Sequence, residues 1–435
     1  MKKWLLSTLS LVMVFVVGGC EQAKFMEFVK STEHEEITLK ISWWGEQPRH
    51  DYTMKVIELF EKKYPYIHIE PDYAYWDDYW KRLAPMAVAK QLPDIIQMDL
   101  VYLKTYSENN TLEDLSSFVE DRVIETEGIS EDILSGGMVE DHLYGIPLGL
   151  NAPAVIVDRE LLSSAIGSLP QTDWTWTDYE NIVTQVHDRL GIYGTNEMKS
   201  VDVFFSYFLR TQGKSLYNDS GTGLGYEDDQ LFIDYFDMQI RLLEKGAFPR
   251  ADVTEKINGI EHSLFMHKLT PMTWAYSNQY ISFSEAAESE LDIIPPPGPG
   301  QVEGLTLKPS MLFSISKSSK NQEAAAQFIN FFINNIEANK IIKGERGVPI
   351  SSTVVDQMGD VLTENQKRMF EYVERVKTNH YEVEKADPLN AFEVVNLLQD
   401  LSDQILFKKI TPSEGAELFR SEANDILKNK KRSAN

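Results

Sequence analysis

Hydrophobic residues change their spacing several times along this chain, and each change marks an element. Over residues 37–43 they alternate: Ile37, Leu39, Ile41 and Trp43 are apolar, while Thr38, Lys40 and Ser42 are polar. A period of two predicts a strand, which Trp44-Gly45 ends. From Tyr52 the period lengthens, and Met54, Ile57, Leu59, Phe60 and Tyr64 predict a helix that Pro65 stops. Residues 66–74 predict another strand and 77–89 another helix, with Leu83, Met86 and Ala87 on its apolar face. Pro93 closes the next loop, and residues 94–98 predict a short buried strand. Strands that alternate with helices predict an open, mostly parallel α/β sheet. Ligands of such sheets sit beyond the carboxyl ends of the strands. That rule places Trp43, Trp44 and Gly45, and then residues 97–99, at the edge of a crevice.

Further along, residues 143–156 are apolar and contain Pro147 and Pro153, as expected of a segment passing from one lobe to another. Residues 174–280 read as largely helical, with a polar Gly/Asp-rich hairpin at 217–229. Residues 291–294 predict a strand running into a stiff linker, Pro295-Pro296-Pro297-Gly298-Pro299-Gly300. Residues 305–316 predict a strand, and 322–343 an amphipathic helix with Ala325, Phe328, Ile329, Phe332 and Ile336 inward. The remainder is mainly helical. Interruptions near 148–153, 294–297 and 344–349 therefore divide the chain, and no repeat recurs at a fixed period.

The N-terminus adds a different message. Lys2 and Lys3 precede an almost wholly apolar run over residues 4–17, which has the length of a signal-peptide core. It falls short of the roughly 20 residues that a membrane span needs. The run ends in Val17-Gly18-Gly19-Cys20, with small residues directly before the only cysteine among 435 residues. We therefore expect a signal peptide over 1–19, a lipidated Cys20, and a flexible polar tether over 20–36. Such a protein is anchored at the extracytoplasmic face of the cell membrane, since two acyl chains hold stably where one is marginal. Cleavage leaves 416 residues with Cys20 committed to lipid and no cysteine for a disulfide, so core burial alone holds the fold, and that length predicts two lobes. The formal charge of −25 becomes −27 once Lys2 and Lys3 are gone, which argues against nucleic acid as a partner. The basic cluster at 428–432 reads as a solvated tail.

Several segments together resemble the extracellular solute-binding proteins that serve sugar importers, the group that includes maltose-binding proteins. They are LKISWWGEQPRHDYT (39–53), LPDIIQMD (92–99), LYGIPLG (143–149), WTWTDYENI (174–182), PMTWAYSNQ (271–279) and FINFFINNIEANKIIKGERGVPIS (328–351). Their order, running through essentially the whole chain after the signal, carries the resemblance. Within the group, WWGEQPRHDYT, YWDDYW (75–80) and LTLKPSMLFSISKSS (305–319) are similar to lipoproteins of importers for pectin oligosaccharides derived from rhamnogalacturonan. The resemblance implies a two-lobe, type II periplasmic-binding-protein-like α/β fold with three hinge crossings. Its first lobe would combine 37–149 with 296–344, and its second 150–295 with 345–435. It also implies an oligosaccharide ligand, membrane permease subunits with a cytoplasmic ATPase, a monomer, and neither cofactor, metal nor catalysis.

A sugar offers an apolar ring face to aromatic side chains and a rim of hydroxyls to polar ones. The resemblance places Trp43 and Trp44 where a first-strand aromatic meets the ligand. Neighbours on a strand face opposite ways, so Trp44 is expected in the cleft and Trp43 toward the core. Arg49, His50, Tyr75, Trp76, Gln97 and Asp99 follow as candidates, with a helix cap as the competing role for Asp99. Asn151 stands at the first crossing where maltose-type relatives carry an acid, a departure that argues against maltose. Trp274 and Tyr276 match an aromatic segment of the second lobe, and Lys308, Ser310 and Arg346 complete the candidates. Phe204 and Phe205 read rather as core. A uronate-bearing ligand would need a cation, for which Arg49, Lys308 and Arg346 are the choices.

Other chemistries read poorly. His34-Glu35-Glu36 lacks the second histidine of a zinc helix, and 221–225 lacks the spacing of a dinucleotide loop. Asp219, Asp228 and Asp229 of the hairpin are candidate calcium ligands, with an ordinary exposed loop as the simpler reading. A secreted carbohydrate-active enzyme using paired carboxylates and an anchored sugar sensor remain the alternative functions.

Overall fold

The computed structural model describes residues 35–429 except 171, 197, 199–200, 255–258, 299–303 and 379–381. The expected signal peptide, Cys20 and most of the tether lie outside the described residues. Twelve strands are described: β1 (Ile37–Trp44), β2 (Ile67–Ala74), β3 (Ile95–Met98), β4 (Met138–Val139), β5 (His142–Leu143), β6 (Ile146–Pro147), β7 (Leu150–Asn151), β8 (Pro153–Asp158), β9 (Met272–Tyr276), β10 (Leu291–Ile294), β11 (Lys308–Pro309) and β12 (Leu312–Ile315). They form two main sheets, flanked by helices.

The first sheet has the order β2-β1-β3-β12-β6, with β1 parallel to β2 and β3 and β12 antiparallel to β3 and β6. In β1, Thr38 and Lys40 are exposed and Leu39 and Ile41 buried, as the alternation predicts. From Ile41 onward every residue of β1 is buried, because helices cover both faces of this part of the sheet. One cover is the helix Gln47–Lys63, whose Phe60 meets Phe328 at 5.0 Å and Phe331 at 5.3 Å from the helix Gln322–Asn334.

The second sheet, β10-β8-β9, is antiparallel throughout. The expected mostly parallel arrangement therefore holds only for β2-β1-β3. The reason lies in the connections. β9 and β10 run the same way on either side of β8 and are joined over the helix Gln279–Ala286, a crossover unit. β8 enters directly from the first half and runs against both. Strand β9 also corrects the largely helical reading of 174–280. Its sequence, MTWAY, is buried at its first four positions, so it shows no alternation to betray a strand. The predicted strand at 305–316 is two pieces, β11 and β12. The predicted helix at 322–343 breaks at Asn335, whose side chain accepts a hydrogen bond from the Ala338 N–H at 2.9 Å and starts a new helix.

Between the sheets, three segments lie side by side. β7 pairs with β11 on one flank. On the other, Leu150 and Val348 exchange backbone hydrogen bonds of 2.8 and 2.9 Å. The first and third of the expected interruptions thus coincide with this junction. The second does not. Pro295 accepts from the Trp174 indole at 2.9 Å, Pro296 from the Tyr207 hydroxyl at 3.1 Å, and the Gly298 N–H donates to Trp174 at 3.0 Å. The proline run therefore packs on the helices beside the second sheet, and the chain returns to the first sheet only through β11 and β12.

Close approach at this junction requires glycine at 149, since a Cβ there would lie 2.3 Å from the Arg346 carbonyl oxygen. Replacing Gly149 by Ala should push the first and third segments apart and lower unfolding stability by about 1–3 kcal/mol in urea titrations.

Candidate ligand-binding cleft

The parallel strands of the first sheet end at Trp44 and Ala74, and the residues just beyond them wall a cavity of about 900 Å³. Trp44, Glu46, Arg49, Tyr75, Trp76 and Lys81 form one side, while Gly259, Ile260, Glu261, Asn278 and Gln279 form the other. A second cavity of about 290 Å³ shares Glu46, Gly259, Ile260 and Gln279 with the first and reaches Phe204, Trp274 and Tyr276. Together they make one cleft between the two halves, at the upper end of the size range for small-molecule sites.

Aromatic rings line this cleft from both sides. Trp44 meets Trp76 edge-on at 4.9 Å, and Trp80 stacks on Tyr102 at 3.8 Å behind them. Trp44 is almost buried, but Trp76 keeps 37% of its surface exposed and Tyr75 67%. Opposite, Trp274 lies parallel to Trp176 at 5.8 Å and against Phe204 at 5.0 Å, with its indole N–H donating to the Tyr179 hydroxyl at 3.3 Å. Its ring is thus fixed at the cavity wall by neighbours on three sides.

Trp44, Arg49, Tyr75 and Trp76 line the larger cavity and Trp274 and Tyr276 the smaller. The other candidates lie elsewhere. Trp43 is fully buried, and its indole N–H donates to His50 Nδ1 at 3.1 Å. His50, also buried, stacks on Tyr73 at 4.1 Å. Burial, then the Arg49 and Arg346 charges, lower its pKa and keep the ring a neutral acceptor. Gln97 is buried too, with its amide N–H donating to the Trp44 carbonyl at 3.2 Å and its oxygen accepting from Arg346. Arg346 donates also to Thr53 at 3.1 Å and lies 5.3 Å from the Phe332 ring. The expectation of ligand contact is corrected for Trp43, His50, Gln97 and Arg346: interior packing leaves them no face in the cleft, and they brace the strand that carries Trp44. Asn151 and Ser310 are buried at the junction. Asn151 accepts from the Ser277 hydroxyl at 3.4 Å, and the Ser310 N–H donates to Gly149 at 2.9 Å.

Asp99 caps the helix Leu100–Glu108 through the Val101 N–H at 3.1 Å, and its other oxygen lies 3.9 Å from Lys308 Nζ. The capping role and the approach to Lys308 thus coexist. Lys308 sits 5.4 Å from the Tyr276 ring. Burial alone would lower its pKa, but Asp99, Tyr276, Glu384 and Asp387 reverse this and hold it protonated. Arg49 clasps the Glu345 carboxylate at 3.1 and 3.0 Å, and Tyr52 donates to the same group at 2.5 Å. Burial pushes the Glu345 carboxyl up, and the Arg49 guanidinium more than offsets it. The Asn278 amide donates to the Glu345 carbonyl at 2.8 Å, tying this clamp to the second half. All three cations considered for a uronate therefore already face protein carboxylates or lie in the interior.

Sequence reading missed Glu46, residues 259–261, Asn278 and Gln279. The last two follow β9, so recognising that strand would have found them through the carboxyl-end rule. It also missed Asp202, Glu384 and Asp387, which gather around Lys308 from distant segments without a local pattern. Burial pushes Asp387 up to about 7; Lys308 opposes this, while Glu384, Asp99 and Asp202 add to it. In the hairpin, Asp229 pairs with Arg420 at 2.5 Å and Asp228 bonds the Gln230 N–H at 2.9 Å. No group of three His, Cys, Asp or Glu side chains able to hold a metal occurs among the described residues. No helix among them is long and apolar enough to cross a membrane.

Comparison with known proteins agrees with this architecture. An extracellular solute-binding protein of family 1 from Alicyclobacillus acidocaldarius shares 29% identity, with a TM-score of 0.67 over 91% of this chain and 100% of that one. A periplasmic oligogalacturonide-binding protein from Yersinia enterocolitica, solved with saturated digalacturonic acid, has a TM-score of 0.79 at 23% identity, covering 92% of this chain and 100% of that one. An ABC substrate-binding protein from Listeria monocytogenes, solved with cycloalternan, has a TM-score of 0.79 at 18% identity, covering 91% and 100%. The last two show a shared fold, the two-lobe type II arrangement of periplasmic solute-binding proteins. Residues 55–370 match the sequence profile of one family, and the chain belongs to it: the bacterial extracellular solute-binding proteins.

Proposed function

We propose that this protein captures an oligosaccharide in the cleft and delivers it unaltered to the permease subunits of an ABC-type importer driven by a cytoplasmic ATPase. The observation that carries the reading is the pair of aromatic walls, Trp44 and Trp76 from one half and Trp274 and Tyr276 from the other, around a single opening. Ring faces on both sides suit a sugar's apolar faces, and Glu46, Asn278 and Gln279 suit its hydroxyls. The resemblance supports a pectin-derived fragment. The lobes divide near 149, 310 and 345, and the junction of β7, β11 and Val348 is the hinge. Ligand drives closure only by binding the closed arrangement better than the open one. The mature chain acts as a monomer, held at the extracytoplasmic membrane face by lipid on Cys20.

Thermal-shift screening against plant-wall oligosaccharides checks the central claim. A matching sugar at a hundred times its Kd should stabilise the fold by about 2.7 kcal/mol, and chromatography should recover it intact. A cleaved product would replace binding with catalysis. Trp76→Ala should weaken binding about tenfold, as expected for loss of one stacking face. Because Trp76 is partly exposed, the melting temperature of the free protein should move by no more than about 2 °C. Cys20→Ala should abolish incorporation of labelled palmitate and release the protein from membranes.

A further inference from the structure

Charge in the cleft is strongly one-sided. On the outer walls stand Glu46, Asp77, Asp78, Glu261 and Glu345, against the cations Arg49 and Lys81. Arg49 is consumed by Glu345 at 3.0 Å, and Lys81 lies 3.9 Å from Asp78. Glu46 stands among these acids. Burial and then the nearby Glu261 raise its pKa, and Arg49 opposes them.

Behind the wall of the smaller cavity, among residues that do not line it, the pattern repeats. Asp99, Asp202 and Glu384 all act electrostatically on Tyr276, which lines the smaller cavity. Asp387 joins them around Lys308. Opposing charges here are Lys308, 3.9 Å from Asp99, and Arg210, 3.7 Å from Glu384. Asp99 and Lys308 keep only 12% and 19% of their side-chain surface exposed, so water screens this group weakly.

We infer that the cleft selects saccharides without carboxylates, neutral or amino sugars, and turns uronates away. An ionised carboxylate accepts hydrogen bonds and cannot donate them, so surplus acids suit hydroxyl and ammonium donors. A uronate brings a second acceptor of the same sign into a half-buried space where acids outnumber cations, with Arg49 held by Glu345 and Lys81 facing Asp78. Specificity then comes as much from repulsion of the wrong ligand as from attraction of the right one. The inference rests on the saccharide reading and narrows the pectin-derived ligand to uronate-free fragments.

The test takes the full-length protein and the saccharide that binds it tightest in the screen, and compares it by calorimetry with the same saccharide oxidised at C6 to the uronate. The neutral form should be the tighter ligand, by at least tenfold at pH 8. Glu261→Gln on the exposed rim and Asp387→Asn behind the smaller cavity should each shrink the ratio of the two affinities by about threefold. Loss of structure alone would weaken both ligands together and leave their ratio unchanged. A uronate that binds best, or a ratio that neither folded variant moves, overturns the inference while leaving saccharide capture intact. If no saccharide binds at all, the proposed function falls and the inference falls with it.

Discussion

The backbone pairing at Leu150 governs the rest of this molecule. One residue exchanges hydrogen bonds with Val348 while its strand pairs with β11, so three separate passes of the chain meet in a width of three strands. Gly149 lets the Arg346 carbonyl come that close. Two α/β halves are joined through this one narrow band, and the cleft lies between their strand ends. The same band also positions the polar groups nearest it. Glu345 precedes the third pass by a few residues and is fixed by Arg49 from the first half and Asn278 from the second.

Around that band the protein separates support from contact. Trp43, His50, Gln97 and Arg346 are interior groups whose hydrogen bonds hold β1 and β3 in place. Trp44, the next residue along β1, faces the cleft. A guanidinium as buried as that of Arg346 stands only because Gln97, Thr53 and the ring of Phe332 surround it. Replacing such a group by an apolar one of equal volume is a different experiment from truncating it, since truncation strands its partners. The acids near Lys308 form the complementary case: they gather about one protonated lysine that lies 5.4 Å from the Tyr276 ring, behind the wall of the smaller cavity.

Much of the first half was legible along the chain. Residues 37–98 give strand, helix, strand, helix and strand at the predicted places, because alternation survives at the starts of β1 and β2, helical spacing follows each, and Pro93 frames the short, wholly buried β3. The pairing of Trp43 and Trp44 to opposite sides followed from strand geometry alone. Legibility failed where both faces are covered. β9 has no alternation, so its carboxyl end, with Asn278 and Gln279, went unrecognised. The proline run was read as a crossing because proline stiffens a chain, yet stiffness does not say which lobe it packs on. Trp174 and Tyr207 decide that.

By itself the sequence determined the strand-and-helix rhythm, the supply of aromatic rings and the acidic net charge. These are local or summed quantities, readable without knowing what touches what. The tertiary structure alone decided where the proline run packs, which cations already have partners, and that Asp99, Asp202, Glu384 and Asp387 converge on one lysine. Those facts depend on contacts between residues as far apart as 99 and 308, and no periodicity or local composition encodes such a meeting.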